Sequence, residues 1–260
     1  MGDTTVLVTG ASGTLGGALL PRLAQAGHRT VAVSRRSRPE PGWVTADLAT
    51  GAGLSDAVRG AAAIVHLASA TSKGAKTADT DVAGTRRLVT AAQQAGVRHL
   101  VYVSIVGIDR VPLSYYRAKL AAEEIVRTGL VPWTILRATQ FPQLVDGLLT
   151  ASVRLGVLLA DRSLSMQPVH PDDVAQRLVD GLAAGPAGVS EEFGGPEVLR
   201  FGELARRWQR ARGASHPVLP LRLPGRIARA VRAGALTTTA RPTGTHSWDD
   251  YLTQRYGAAR

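Results

Sequence analysis

Apolar positions along this chain follow two alternating periods. Short, nearly continuous apolar runs are separated by longer stretches in which apolar residues return every third or fourth position, the marks of buried strands and amphipathic helices. The first run is Val6-Leu7-Val8, and behind it Leu15, Ala18, Leu19, Leu23 and Ala26 recur at helical spacing. Gly27-His28 ends that helix, and residues 30–34 (TVAVS) predict a second strand. Residues 43–48 (WVTADL) predict a short third strand, residues 54–59 a helix, and residues 61–67 (AAAIVHL) a buried fourth strand. A polar, mobile loop is expected over 71–80, then a helix over 81–95 that Gly96 stops. Residues 98–104 (RHLVYVS) make a fifth strand, with Leu100, Val101 and Val103 as core positions. Strand and helix in alternation, apart from the neighbouring second and third strands, imply parallel strands with helices on both faces, an α/β, Rossmann-type doubly wound sheet.

Beyond it, Gly129-Leu130-Val131-Pro132 reads as a turn and residues 133–136 as a sixth strand. A helix over 141–156 leaves the sheet, residues 166–170 are extended, and Pro171 with Asp172 and Asp173 opens a helix through 182. Residues 185–195 form a loop with a short strand at 191–193, and residues 201–212 a helix with Leu204 and Trp208 on one face. The stretch 217–260 is rich in Pro, Arg and Gly. In it Ile227, Ala230, Val231 and Ala235 oppose Arg226, Arg229 and Arg232 on a basic amphipathic helix, read as a solvated face over a substrate cleft. Residues 248–256 suggest a last helix, and there is no internal repeat.

At 260 residues the chain is one large domain, or one with a small lobe. With no cysteine, disulfides and thiolate metal sites are excluded, and the six scattered histidines give no metal-ligand spacing. Residues 1–4 lack the features of a signal peptide, and the longest apolar stretch, 144–160, is broken by Asp146 and Arg154, so a cytoplasmic protein is expected. The net charge of +11 comes almost wholly from arginine, since Lys73, Lys76 and Lys119 are the only lysines. Its spread along the chain argues against a nucleic-acid stripe, and no nucleic-acid or membrane partner is expected.

Candidate chemistry begins where the first run ends, at Gly10-Ala11-Ser12-Gly13-Thr14-Leu15-Gly16. Three glycines between a strand and a helix form the context of a phosphate-binding turn. Gly10 takes the tight bend, Gly13 admits a pyrophosphate to the backbone, and Gly16 lets helix pack on strand. The free amides of the helix start favour the anion, with Ser12, Thr14 and Leu15 around it. The second strand ends in Ser34-Arg35-Arg36 rather than an acid, which suits the 2′-phosphate of NADP(H) better than the ribose of NAD(H). Asp47, beside Leu48, meets the adenine amino group or caps the next helix. Leu67, Ala68 and Ser69, at the end of the fourth strand, offer small residues to a dinucleotide, as does Ala70. His66 reads as a core histidine with a satisfied hydrogen bond, and His170 as part of the turn leading into its helix.

Tyr115 and Lys119 are four apart and share a helix face. A lysine beside a phenol lowers its pKa and makes it a better proton donor and acceptor, while Ser104, at the end of the fifth strand, holds a substrate oxygen. Tyr116 lies near the same face, which leaves the choice of tyrosine open.

The stretches VLVTGASGTLG (6–16), IVHLAS (64–69), DVAGT (81–85), VRHLVYVSIVG (97–107), YYRAKLAAE (115–123) and WTILRATQF (133–141) together resemble the extended or atypical short-chain dehydrogenases/reductases, of the NmrA-like, NAD(P)H-binding kind. The resemblance implies Ser104, Tyr115 and Lys119 as the catalytic set, Lys119 also on the nicotinamide ribose, and Ala138, Thr139 and Phe141 near the nicotinamide. It departs at Asp81, where members often carry Asn, and in the short interval from Ser104 to Tyr115. A cofactor-binding core over residues 1–140 and a substrate-binding lobe over 141–260, interleaved with it, are expected. The reading is an NADP-dependent oxidoreductase, monomer or homodimer, acting on a carbonyl, quinone or activated alkene of a small molecule. The alternatives are a nucleotide-sensing regulator without turnover and a cofactor-retaining epimerase or lyase.

Overall fold

The computed structural model describes residues 4–69, 75–154 and 156–257. Strand β1 (Thr5–Thr9) leads into α1 (Thr14–Gln25), then β2 (Arg29–Ser34) and β3 (Trp43–Thr45). Next come α2 (Leu54–Val58), β4 (Ala63–His66), α3 (Ala75–Gln94), β5 (His99–Ile105), α4 (Ser114–Thr128) and β6 (Trp133–Ala138). The later part holds α5 (Pro142–Ser152), β7 (Val153–Arg154), β8 (Val157–Ala160), β9 (Ser165–Met166) and α6 (Pro171–Ala184). It ends with β10 (Ser190–Phe193), β11 (Leu199–Arg200), α7 (Phe201–Ala211), β12 (Val218–Pro220), α8 (Gly225–Arg232) and α9 (Trp248–Tyr256).

Seven strands form one sheet in the order β10-β6-β5-β4-β1-β2-β3. The pairs β1–β2, β1–β4, β2–β3 and β4–β5 are parallel, and the order reverses between β1 and β4. This is the expected doubly wound sheet, whose ligands sit beyond the carboxyl ends of the strands at the reversal. Val6, Leu7 and Val8 of β1 and Ile64 and Val65 of β4 are wholly buried, as central parallel strands require.

The chain divides into two compact units: residues 1–104, 114–137 and 174–191, and residues 105–113, 138–173 and 192–260. In the first, Leu7, Ile64, Leu88, Leu100, Val126 and Ile135 belong to one apolar cluster. A buried carboxylate, Glu123 of α4, accepts hydrogen bonds from Arg127 (2.7 Å) and from two nitrogens of Arg137 (2.9 and 2.7 Å). Removing one partner of such a buried cluster strands the others, so Glu123→Ala is expected to lose about 3–5 kcal/mol of stability, read as a fall in urea midpoint.

In the second unit, Trp208, Trp248, Tyr251 and Leu204 pack with Val145 and Leu149. Asp146 accepts from Trp208 Nε1 (2.7 Å), Tyr251 Oη (2.9 Å) and Tyr256 Oη (2.7 Å), which fastens α9 to α5. Burial alone would raise the Asp146 carboxyl, but these donors outweigh it and hold it below the usual carboxylate range.

Several expected elements change extent. The 141–156 helix ends at Ser152: Val153 is extended, and Gly156, at φ +78°, turns the chain into the β7–β8 hairpin. A three-stranded sheet, β12-β8-β7, forms from segments in which no strand was expected. The helix expected from Asp81 begins at Ala75, within the expected loop, of which residues 71–74, with Ala70 before them, lie outside the described residues. Helix α8 turns Val231 inward, and Ala235 just beyond it is buried, as expected, but Ala228 joins them and Ile227 is left exposed, so the apolar face is rotated from the one expected.

Candidate active site

The turn after β1 is shaped by its glycines. Gly10 has φ +69°, and a Cβ there would lie 2.7 Å from the Ala68 amide nitrogen and 2.8 Å from the Leu67 carbonyl carbon. The β1 turn and the end of β4 therefore approach backbone to backbone, which only glycine permits. At Gly16 a Cβ would meet the Ala11 carbonyl oxygen at 2.4 Å, so the close approach is to the turn itself rather than to strand β1. Gly13 is the N-cap of α1 with no side-chain cap, and Ser12, Gly13 and Thr14 are all exposed. An uncapped helix start with exposed backbone fits an anion such as a pyrophosphate.

Beyond β2, Arg35 and Arg36 are exposed, and the Ser34 hydroxyl accepts the Arg36 amide at 3.2 Å. Arg38, which sequence reasoning missed, lies over the Trp43 ring at 4.4 Å. Asp47 does not cap α2, whose N-cap is Gly53. Its carboxylate instead accepts the Ala49 amide at 2.9 Å in a local turn, a short-range bond open to any aspartate in a loop. Leu48, beside it, accepts Arg87 on its carbonyl oxygen at 3.2 Å.

Two hydrogen-bond chains meet at Asp81. In the first, the Ala68 amide donates to Thr9 Oγ1 (3.3 Å), which pairs with His66 Nδ1 (2.7 Å), while His66 Nε2 pairs with Thr85 Oγ1 (3.0 Å). Because the Thr85 hydroxyl donates to the Asp81 carbonyl (2.8 Å), it must accept from His66, so the proton sits on Nε2 and Thr9 donates to Nδ1. His66 is the satisfied core histidine expected from sequence. Burial, and next the charge of Lys119, push its pKa down to about 3. The unfolded chain therefore binds a proton that the native protein refuses. Stability is untouched above the ordinary value of 6.5 and falls as the pH drops from there towards 3, by about 2 kcal/mol at pH 5. Urea midpoints measured across that window should show this slope, and His66→Gln should remove it.

In the second chain, Ser69 Oγ donates to Asp81 Oδ2 (3.0 Å) and pairs with Tyr115 Oη (2.8 Å). With its one proton on Asp81, Ser69 must accept from the phenol. Burial first, and then the charge of Asp81, raise the Tyr115 pKa. This corrects the expectation of a phenol lowered by Lys119. The ammonium donates instead to the Val103 carbonyl (2.8 Å) and lies over the Tyr102 ring at 4.2 Å. Burial brings Lys119 down to about 8 against the pull of Asp81 and Glu123. Tyr116, buried and pushed up to about 12, takes no part in the Ser69–Asp81 chain. Ser104, one residue past the carbonyl that holds Lys119, has a buried Oγ with no hydrogen-bond partner. A native protein rarely leaves such a group unless a ligand completes it.

Ala138, Thr139 and Phe141 belong to the second unit. There Ala138 and Thr139 are buried, Thr139 Oγ1 accepts the Gly195 amide at 3.4 Å, and Phe141 is the N-cap of α5. His170 is used as expected: its Nδ1 accepts the Asp172 amide at 3.2 Å, at the start of α6.

A family model described as NAD(P)H-binding matches residues 10–184. Over 223 residues the chain is 31% identical to divinyl chlorophyllide a 8-vinyl-reductase of Oryza sativa subsp. indica, covering 75% of this chain and 55% of that protein. The chain thus spans about half the length of that relative. It is 28% identical over 265 residues to (4-alkanoyl-5-oxo-2,5-dihydrofuran-3-yl)methyl phosphate reductase of Streptomyces griseus, covering 97% and 88% of the two chains. Among solved structures, an NADPH-dependent quinone oxidoreductase of Escherichia coli has the same fold, with a TM-score of 0.76 at 18% identity, covering 96% of this chain and 99% of that one.

Proposed function

Because this chain belongs to the NAD(P)H-binding family, we propose that it is an NADP-dependent oxidoreductase acting on a carbonyl, quinone or activated alkene of a small molecule. The observation that carries the reading is the Tyr115–Ser69–Asp81 chain on the same unit as an unpartnered, buried Ser104 hydroxyl. Relatives named as reductases of vinyl and oxo-dihydrofuran compounds support this substrate class.

The glycine turn, with Ser12, Thr14 and Leu15, would hold the pyrophosphate, and Leu67, Ala68 and Ser69 would line the same crossing. Ser34, Arg35 and Arg36 would hold the 2′-phosphate, Asp47 and Leu48 would flank the adenine, and Lys119 would hold the nicotinamide ribose. Ala138, Thr139 and Phe141 would flank the nicotinamide ring. When bound, that cofactor supplies or accepts the hydride. Ser104 Oγ donates to the substrate oxygen and orients it. The Tyr115 phenol, kept protonated by burial and by Asp81, gives its proton to that oxygen. Ser69 then turns its own proton from Asp81 to the phenolate. A sensor without turnover would bind the cofactor and be indifferent to Tyr115→Phe.

Titrating the protein with NADPH and NADH, following nicotinamide fluorescence, tests the cofactor assignment. NADPH is expected to bind more tightly, and Arg35→Ala to weaken it about tenfold or more while leaving NADH unchanged, the worth of a charge-assisted bond to a phosphate. Equal affinity for both nucleotides would remove the NADP assignment, and binding of neither would remove the oxidoreductase.

A further inference from the structure

Ten large apolar side chains are prominently exposed among the described residues, and half of them, Leu159, Leu219, Leu221, Leu223 and Ile227, fall on two short segments of the second unit. The segments are joined. β12 pairs with β8 in parallel, with Leu219 opposite Leu159, so these two side chains stand side by side on one face. The Leu221 amide continues the ladder to the Ala160 carbonyl at 3.0 Å. Leu219 and Leu221 alternate along this ladder, and exposed Leu223 and Ile227 follow within six residues of Leu221. The run is pinned rather than loose: buried Asp161 accepts both the Leu223 amide (3.1 Å) and Arg232 of α8 (2.7 Å). The five side chains are 39% to 51% exposed, too much apolar surface in one place to be incidental.

The charge around this ridge is one-sided. From Leu204 to Trp248 the sequence has nine arginines and no acidic residue. Arg232 is neutralised by Asp161, but Arg222, Arg226 and Arg229 are exposed and make no ion pair among the described residues. We propose that this ridge docks the protein on an anionic lipid bilayer, its leucines and Ile227 entering the acyl boundary and its arginines meeting the headgroup phosphates. That combination of apolar and cationic groups is what an interfacial surface needs. A second copy fits poorly, because a two-fold contact would set these arginines against one another with no carboxylate between them. Nucleic acid would engage the arginines but leave the leucines without a role. The contact is peripheral: no helix among the described residues is long and apolar enough to cross a membrane.

The test is flotation of the whole protein with vesicles of phosphatidylcholine, alone or with about one third phosphatidylglycerol, an anionic fraction that attracts basic groups near the surface. Two variants are compared, Arg222→Gln/Arg226→Gln/Arg229→Gln and Leu219→Ser/Leu221→Ser. Both alter exposed side chains, and circular dichroism checks that they fold as the wild type does. The wild type is expected to float only with the anionic vesicles. The arginine variant should bind about 100-fold more weakly, about fivefold for each charge. The leucine variant should bind more than tenfold more weakly, through lost apolar burial. Equal flotation with both vesicle types, wild-type binding by the leucine variant, or no flotation together with a dimer whose ridge is protected from hydrogen exchange would each overturn the proposal.

Discussion

Tyr115→Phe is expected to lower kcat for NADPH-dependent reduction by about 10²- to 10⁴-fold, the usual worth of one positioned general acid, while leaving the affinity for NADPH within a factor of about two. The substitution removes one oxygen and keeps the ring, so it tests the proton and not the packing. Tyr116→Phe should change kcat little, since Tyr116 takes no part in the chain to Ser69 and Asp81. The pH profile carries the sign. A phenol raised above its ordinary value of 10.0 stays protonated through the neutral range, so kcat for reduction should be level there and fall only beyond that value. Lys119 behaves differently, because burial brings its ammonium to about 8. As the pH rises through that value, the charge that would hold the anionic cofactor is lost, and the apparent KM for NADPH should rise while kcat stays level. The two groups thus separate in two kinetic parameters. Asp81→Asn takes away the charge that helps raise the phenol and should move the alkaline fall of kcat to lower pH. A kcat unmoved by Tyr115→Phe would take the proton away from this residue and favour a nucleotide sensor.

What the sequence disclosed was local. The strand, glycine turn and helix from β1 to α1 lie on consecutive residues, and Tyr115 and Lys119 stand one helical turn apart, so period and spacing find them. The doubly wound parallel sheet was legible because strands and helices largely alternate from β1 to β6. What escaped was pairing at a distance. β12 meets β8 with Val218 opposite Leu158, and nothing in either segment marks the other as its partner. The hub at Asp146 draws donors from α7 and α9, and Glu123 is held by two arginines of which only Arg127 lies within helical reach. The link from Ser69 to Asp81 was hidden for the same reason. Ser69 read as a small residue at the end of a strand, and Asp81 as a departure from a family pattern. Only the fold brings them to Tyr115, and with them comes the reversal in the direction of its pKa. Spacing could place a cation on the same helix face as the phenol, but not show that its ammonium donates to the Val103 carbonyl.

Gly10→Ala should cost about 3 kcal/mol or more of stability and abolish measurable dinucleotide binding, whereas Gly17→Ala, seven residues on, should leave binding intact and stabilise slightly. Both changes add a single methyl, so the contrast isolates position. At Gly10 the methyl imposes a left-handed backbone on an L residue, at about 1–2 kcal/mol. It also drives a carbon to 2.7 Å from the Ala68 nitrogen and 2.9 Å from the Ala68 Cα, atoms of a backbone that cannot swing aside. Relief requires the β1 turn and the end of β4 to part, at about 1–3 kcal/mol more for the overpacking. That parting carries Ser69 away from Tyr115 and Asp81 and opens the crossing where a pyrophosphate would lie. At Gly17, inside α1 and exposed, a Cβ meets nothing within 4 Å, and alanine is the better helix former by about 0.5–1 kcal/mol. Urea midpoints and NADPH titration on the two variants measure both effects. Similar affinities in the two proteins would mean that the glycine turn serves the fold alone, and the dinucleotide would then have to be sought elsewhere on the sheet.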